Sequence, residues 1–277
     1  MAMMPPFSMY REENIKNSKK YTAKGVKIFL GNILNYEEIR KAVTDQDIVI
    51  HMAAILPPVS EEKPGLCKEV NVDGTKNVIK ALREEIHKSA IIEISSASVM
   101  GHTQDRNSPI LPDDCLIASD VYSSTKIDAE KLIVELGLPF CILRLSAVLP
   151  TVINISSLLS MAKILFDMPL NARCEIVFDI DVAFALVSTA KKMLKAKEMV
   201  GVKGFIAGGK LKGCQTIVKE FIKSVFEPLG LRISDESLFP TDNNSYYLDW
   251  YDTKSTQAFL GYQRHSIEDW HALIKKK

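Results

Sequence analysis

Short apolar runs alternate with amphipathic stretches through the first half of the chain. Val26–Leu30 is a compact apolar run ended by Gly31-Asn32, and Tyr36, Ile39 and Val43 follow at helical spacing. Asp47–His51 is strand-like again, with Ile48, Val49 and Ile50 in a row. Val78, Ile79, Leu82 and Ile86 form one face of a helix, Ile91–Ser95 is the next strand, and Ala129, Leu132, Ile133 and Leu136 mark another helical stripe. Gly137-Leu138-Pro139 stops that helix and Phe140–Leu145 is a further strand. Continuously apolar strands separated by amphipathic helices predict a parallel sheet covered on both faces. Right-handed crossovers then make it a doubly wound α/β sheet.

After Pro150 the pattern loosens. It predicts a helix over Ile153–Phe166, a short strand at Glu175–Phe178, and Asp181 as N-cap of a helix from Val182 to Lys195. Gly204–Ala207 reads as a strand and Thr216–Leu229 as a helix, and the tail from Ser245 holds both tryptophans, Trp250 and Trp270. Residues 1–150 and 171–210 are thus expected to form the main sheet domain, and 151–170 with 211–277 a smaller lobe.

Composition narrows the classes. The 35 Lys+Arg nearly balance the 34 Asp+Glu, for a net charge of +1, so no global charge draws the chain to nucleic acid or an anionic membrane. With 47% hydrophobic and 25% charged residues it has the profile of a folded globule. The 5 cysteines show no C-x-x-C spacing and their odd number argues against a closed disulfide framework, so a reducing cytoplasm is the expected compartment. The N-terminus lacks a basic segment followed by a long apolar core, and no apolar run is long enough to span a bilayer. The five histidines show no metal-ligand spacing.

Candidate chemistry converges on one βαβ unit. Tyr122-Ser-Ser-Thr-Lys126 puts a phenol and an ammonium one helical turn apart on one face. A fixed positive charge favours the phenolate, which makes a tyrosine a usable proton acceptor and donor near neutral pH. Ser95-Ser96-Ala97-Ser98 ends the strand before that helix, and ligands of open α/β sheets sit outside the carboxyl ends of strands.

In this order the motifs resemble the extended short-chain dehydrogenases/reductases of the NAD-dependent epimerase/dehydratase type. Gly31-Asn32-Ile33 stands where that family has G-D-L, and Asp47-Ile-Val-Ile-His51-Met-Ala53-Ala54 resembles its D-x-V-x-H-x-A-A strand. Asn71-Val-Asp-Gly74-Thr75 is similar to N-V-x-G-T, and Ser95-Ser96-Ala-Ser-Val99-Met100-Gly101 to S-S-x-x-V-Y-G. Tyr122-x-x-Thr125-Lys126-x-x-Ala129-Glu130 resembles Y-x-x-S-K-x-x-A-E, Leu143-Arg144 stands at L-R-P, and Phe178-Asp-Ile-Asp181-Val182-Ala183 resembles H-V-x-D-V-A.

The resemblance implies a Rossmann-like domain that binds NAD or NADP, with a C-terminal substrate lobe. It implies Tyr122 as the proton-transferring residue, Lys126 as partner of the nicotinamide ribose and of the tyrosine, and Ser96 as the group orienting the substrate oxygen. Asn32 would meet the adenine, Ala53 and Ala54 would line the cofactor, and Ser95 and Lys126 complete the expected cofactor contacts. Arg11 is a candidate for an NADP 2′-phosphate. The implied activity is oxidation, reduction or epimerisation at a hydroxyl/carbonyl carbon, with nucleotide-sugars among the substrates. An NADPH-dependent carbonyl reductase and a non-catalytic regulatory remnant on the same scaffold are the alternatives. A homodimer through two helices, one bearing Tyr122, is expected.

Three departures matter. Ala97 and Ser98 follow Ser96 where nucleotide-sugar dehydratases carry acids, which disfavours elimination. Met100 replaces the tyrosine of V-Y-G and Leu145 the proline of L-R-P. No G-x-x-G-x-x-G precedes Gly31; with Phe7–Tyr10 taken as the second strand, roughly the first 25 residues of a ~30-residue βαβ unit are expected to be missing, the alternative being a sheet that closes differently with Phe7–Tyr10 in the central slot. Gly201–Gly213 is glycine-rich, but lacks the G-K-[ST] ending of a phosphate loop and reads as a turn.

Overall fold

The computed structural model describes residues 26–85, 89–152, 166–196, 199–227, 230, 232, 233, 235–241 and 248–274, and the backbone of residues 2–4. Arg11, the strand expected at Phe7–Tyr10 and nearly all of the helix expected at Ile153–Phe166 lie outside the described residues. The chain divides into two units: Met1–Glu93 with Asp120–Phe140, and Ile94–Ser119 with Cys141–Lys277.

In the first unit, β1 (Ala2–Met4) pairs parallel with β2 (Ile28–Leu30). Asn35 caps α1 (Tyr36–Val43) by accepting from the Glu37 and Glu38 amides, and the helix buries Ile39, Ala42 and Val43. The next strand is β3 (Ile48–His51). A π-helical turn, Glu69–Asp73, leads into α2 (Gly74–Glu84), which packs on α1 and buries Val78, Ile79, Ala81 and Leu82. Gly74 opens α2 against Ile33, where a Cβ would stand 3.0 Å from the Ile33 side chain, a tight fit.

The strand β4 (Ala90–Ser96) pairs parallel with β3, with His51 opposite Glu93. α3 (Val121–Val134) is the crossover helix, and its C-terminal residues hold α2 through Arg83 Nη2, which donates to the Glu135 carbonyl at 3.1 Å. Beyond α3 the chain returns beside β4, where the Ile91 amide donates to the Pro139 carbonyl at 2.9 Å. Parallel strands joined by helices are the architecture the apolar runs predict.

In the second unit, the end of β4 turns into a 3₁₀ segment, Ala97–Met100, closed by Gly101. β5 (Phe140–Leu145) leads to β6 (Ala147–Leu149), and β6 pairs parallel with β7 (Arg173–Phe178). After α4 (Asp179–Ala196), β8 (Val202–Ile206) pairs parallel with β5. β9 (Gln215–Ile217) runs antiparallel to β7 and is followed by α5 (Val218–Phe226), α6 (Lys254–Leu260) and α7 (Ile267–Ile274). The apolar faces of β7, α5 and α7 meet in a core that includes Phe178, Phe221, Val225 and Trp270.

Two local expectations are corrected. Asp181 is not an N-cap. The helix begins earlier, at Asp179, whose Oδ1 accepts from the Thr151 and Ile180 amides. Asp181 is instead taken by the tail: it accepts from the Arg264 and His265 amides and faces His265 Nδ1 at 2.6 Å. Thr216 lies in a strand, not at a helix start. The run Thr216-Ile217 is β-branched and pairs with β7 before α5 opens at Val218.

Candidate active site

The Y-x-x-x-K segment forms the first turns of α3. The first four amides of any helix lack an intrahelical partner; here those of Val121, Tyr122 and Ser123 find carboxylates and that of Asp120 finds the Ser123 hydroxyl. Asp120 accepts from the Ser123 amide at 2.6 Å and completes a capping box with the Ser123 hydroxyl. Glu61 accepts from the Val121 and Tyr122 amides, both at 3.2 Å, and is itself held by the Ser60 hydroxyl. Tyr122 therefore stands on a doubly anchored helix end, with its side chain buried.

One turn on, Lys126 is also buried, and its Nζ lies 2.5 Å from Glu93 Oε1. Glu93 is on β4, directly across from His51 on β3. His51 Nε2 lies 2.9 Å from Thr75 Oγ1, and Thr75 donates to the Asn71 carbonyl, so His51 carries its proton on Nε2. Burial pushes the His51 pKa below its usual 6.5, the Glu93 carboxylate pulling the other way, so the ring is held neutral. Asn71 ties the segment after β3 to α3: it accepts from the Ile55 amide at 2.7 Å and donates to Thr125 Oγ1 at 2.9 Å.

The expected nucleoside contacts follow strand ends of the same unit. Ala53 and Ala54 are half-buried just beyond β3, and Asn32 is half-buried just beyond β2. Asn32 Oδ1 accepts from the Leu34 amide at 3.0 Å, which folds the turn and leaves the oxygen one further lone pair. Small side chains and a half-exposed amide at the carboxyl ends of strands fit the nucleoside part of a dinucleotide.

Ser95 and Ser96 lie at the end of β4 in the second unit, Ser95 buried and Ser96 half-buried. Ser96 Oγ accepts from the Ser98 amide at 3.2 Å and from the Ser98 hydroxyl at 2.9 Å. With both lone pairs engaged, its own O–H is left the role of donor. Gly101 follows at φ +67°, where a Cβ would meet the Ile117 carbonyl at 2.6 Å, so only glycine fits this turn. Arg144, buried at the end of β5, donates to the Pro112 carbonyl at 2.6 Å and is a structural clamp of the second unit.

The structure thus brings Tyr122 and Lys126 onto one helix and Ser95 and Ser96 onto one strand end. It adds Glu93 and Glu61, which motif reading passes over, and gives Ser98, named in the motif, a partner in Ser96. Glu93 had a signal: an acid between Ile92 and Ile94 in a fully apolar run. Glu61 had none, being one of two adjacent acids on a single helical turn, Val59–Glu62. Among the described residues no group of three or more His, Cys, Asp or Glu is arranged to hold a metal ion.

Residues 9–137 match the sequence model of the 3-beta hydroxysteroid dehydrogenase/isomerase family. A 3-beta-hydroxysteroid dehydrogenase of Mycolicibacterium neoaurum is 30% identical over 128 residues, 43% of this chain and 35% of that protein. An inverting UDP-N-acetylglucosamine 4,6-dehydratase of Campylobacter jejuni is 26% identical over 130 residues, 46% of this chain and 34% of that protein. The matched stretch thus spans about a third of these relatives' lengths.

Among solved structures, UDP-glucuronic acid 4-epimerase from Bacillus cereus, in complex with UDP-glucuronic acid and NAD, aligns over 99% of this chain and 88% of its own with a TM-score of 0.73 at 18% identity. RMD from Pseudomonas aeruginosa, complexed with NADPH, aligns over 94% of this chain and 93% of its own, at TM-score 0.71 and 16% identity. The chain shares the fold of these solved structures, an α/β fold that is Rossmann-like in its parallel sheet.

Proposed function

We propose that this protein is an NAD(P)-dependent oxidoreductase or epimerase acting on a hydroxyl/carbonyl carbon, with a nucleotide-sugar as substrate. The observation that carries this reading is the buried pair Tyr122 and Lys126, one turn apart on a helix whose Val121, Tyr122 and Ser123 amides are held by carboxylates. The Bacillus cereus neighbour was solved with a nucleotide-sugar and NAD, which supports the substrate class and the cofactor.

Asn32, Ala53 and Ala54 would hold the nucleoside part of NAD(P), and Lys126 the nicotinamide ribose. When bound, the nicotinamide supplies a two-electron hydride acceptor or donor. This chain's own residues handle the proton. Tyr122 takes it from the substrate hydroxyl during oxidation and returns it to the carbonyl during reduction. The Lys126 ammonium favours the phenolate between those steps. The Ser96 O–H, its oxygen loaded by Ser98, donates to the substrate oxygen as charge develops there. Dehydration is disfavoured because Ala97 is fully buried and Ser98 is committed to Ser96, leaving no carboxylate beside the serine.

The match of residues 9–137 to the hydroxysteroid dehydrogenase/isomerase family favours one further reading, an apolar secondary alcohol as substrate. Turnover across nucleotide-sugars and hydroxysteroids, with NAD and NADP, separates the two. In either case Tyr122→Phe is expected to lower kcat by about 10²–10⁴-fold while leaving cofactor affinity within a few-fold. A Tyr122→Phe variant with full turnover overturns the proposed proton transfer.

A further inference from the structure

Beneath α3 lies an ion pair that proton transfer by Tyr122 alone does not require. The Lys126 and Glu93 side chains are 3% and 0% exposed and meet at 2.5 Å. Charges withdrawn this far from water are costly, and removal of one partner strands the other. Glu93 Oε2, the second carboxylate oxygen, is buried without a hydrogen-bond partner. His51 Nε2 is 4.0 Å from it and is engaged by Thr75 instead. Because His51 and Glu93 are opposite each other in a parallel pair, both side chains leave the sheet on the same face.

Burial keeps His51 neutral, so it contributes no competing cation. On its own helix Lys126 is flanked by Tyr122 and Glu130, and it acts together with Glu61 and Asp120 on the Cys67 thiol. Burial raises the Cys67 pKa and keeps it a thiol. Glu61 and Asp120 are occupied by the backbone amides that open α3. The Glu93 carboxylate is therefore directed at one cation.

We propose that Glu93 is the positioning residue of Lys126, holding the ammonium under α3 one turn from Tyr122; its catalytic consequence rests on the function proposed above. Without Glu93, an unpaired ammonium in this interior turns toward solvent. Tyr122 then loses the nearby positive charge, and its phenolate is disfavoured. Glu93 touches neither substrate nor cofactor and acts only through Lys126.

The test compares the full-length wild type with E93Q and E93D, after confirming folding by circular dichroism. Acetylation by acetic anhydride, read by peptide mass spectrometry, reports where the Lys126 amine is, whether or not the protein turns over substrate. Lys131, 66% exposed, is the internal reference. Wild-type Lys126 is expected to label at least about tenfold more slowly than Lys131, E93Q to lose most of that protection, and E93D to lie between. In alcohol oxidation the ascending limb of kcat/KM against pH is expected to move up by about one unit in E93Q, with a higher KM for the cofactor and partial recovery in E93D. If E93Q does not fold, the intermediate labelling and limb of E93D decide the matter. A folded variant whose Lys126 labelling and pH limb match wild type overturns the assignment. A wild type that binds no NAD(P) and oxidises no alcohol overturns the functional reading instead, and the labelling still judges Glu93.

Discussion

At the scale of single residues, the site depends on hydrogen-bond direction more than on residue identity. Ser96 is useful as a donor because Ser98 fills its lone pairs. Ser96→Ala is expected to lower kcat by about 10²-fold with little effect on stability, read by steady-state kinetics beside a melting curve. Gly101 shows the opposite dependence, on backbone alone. Its φ is +67° and a Cβ would stand 2.6 Å from the Ile117 carbonyl. Gly101→Ala is expected to cost about 1–3 kcal/mol by urea denaturation. Gly137→Ala, at φ +75° with open space around it, is expected to cost less because strain acts there without a clash. Equal costs at the two positions would show that the Ile117 contact does not constrain the turn.

At the scale of elements, α3 carries the proposed proton-transfer pair, and its N-terminus is held from two directions. Asp120→Ala removes the capping box and is expected to destabilise the protein by about 1 kcal/mol in urea. Asp128, half-exposed on the same helix with a 3.7 Å contact to Lys131, serves as control, since such surface pairs contribute little. The C-terminal segment shows a second kind of element-level control. Buried Glu175 on β7 accepts from the Gly209 and Tyr251 amides and from Gln215, pulling three separate segments onto one strand. Asp249 does likewise, pairing with Arg173 at 2.7 Å.

At the scale of the whole molecule, two buried titratable groups oppose each other in pH. Burial raises the Glu175 pKa from 4.5 to about 7, against the hydrogen bonds that lower it. Its folded-state pKa exceeds the unfolded value, so the native state holds a proton that the unfolded state has released. The resulting stability is present below pH 4.5 and is lost as pH rises toward about 7. For His51 the sign reverses. Its depressed pKa gives stability that is present above pH 6.5 and is lost as pH falls through the folded-state value. Glu175→Gln is therefore expected to gain on wild type by about 3 kcal/mol between pH 4.5 and 7.5, whatever its offset at low pH, in urea titrations at each pH. Parallel stability curves for variant and wild type would show that Glu175 does not titrate over this range.

The sequence by itself determined the parallel α/β class, the alternation of strands and helices from β2 to β5, and the placing of Tyr122, Lys126 and Ser96 at a helix start and a strand end. These are legible because apolar periodicity and turn glycines act locally, through the pleat, the helical repeat and the φ each turn needs. Gly74 and Gly101 stand where the motifs want them, and each has a steric reason. Only the tertiary structure decided who holds the functional side chains. Glu93, Glu61 and Ser98 act across gaps in the chain or through one hydroxyl's direction, and no periodicity records that. Asp181 shows the same limit: an acid before a helical run has the pattern of a cap, yet the tail at Arg264 and His265 takes its carboxylate. A long-range partner overrides a local preference worth about 1 kcal/mol because burial makes an unsatisfied amide or carboxylate costlier than a lost cap.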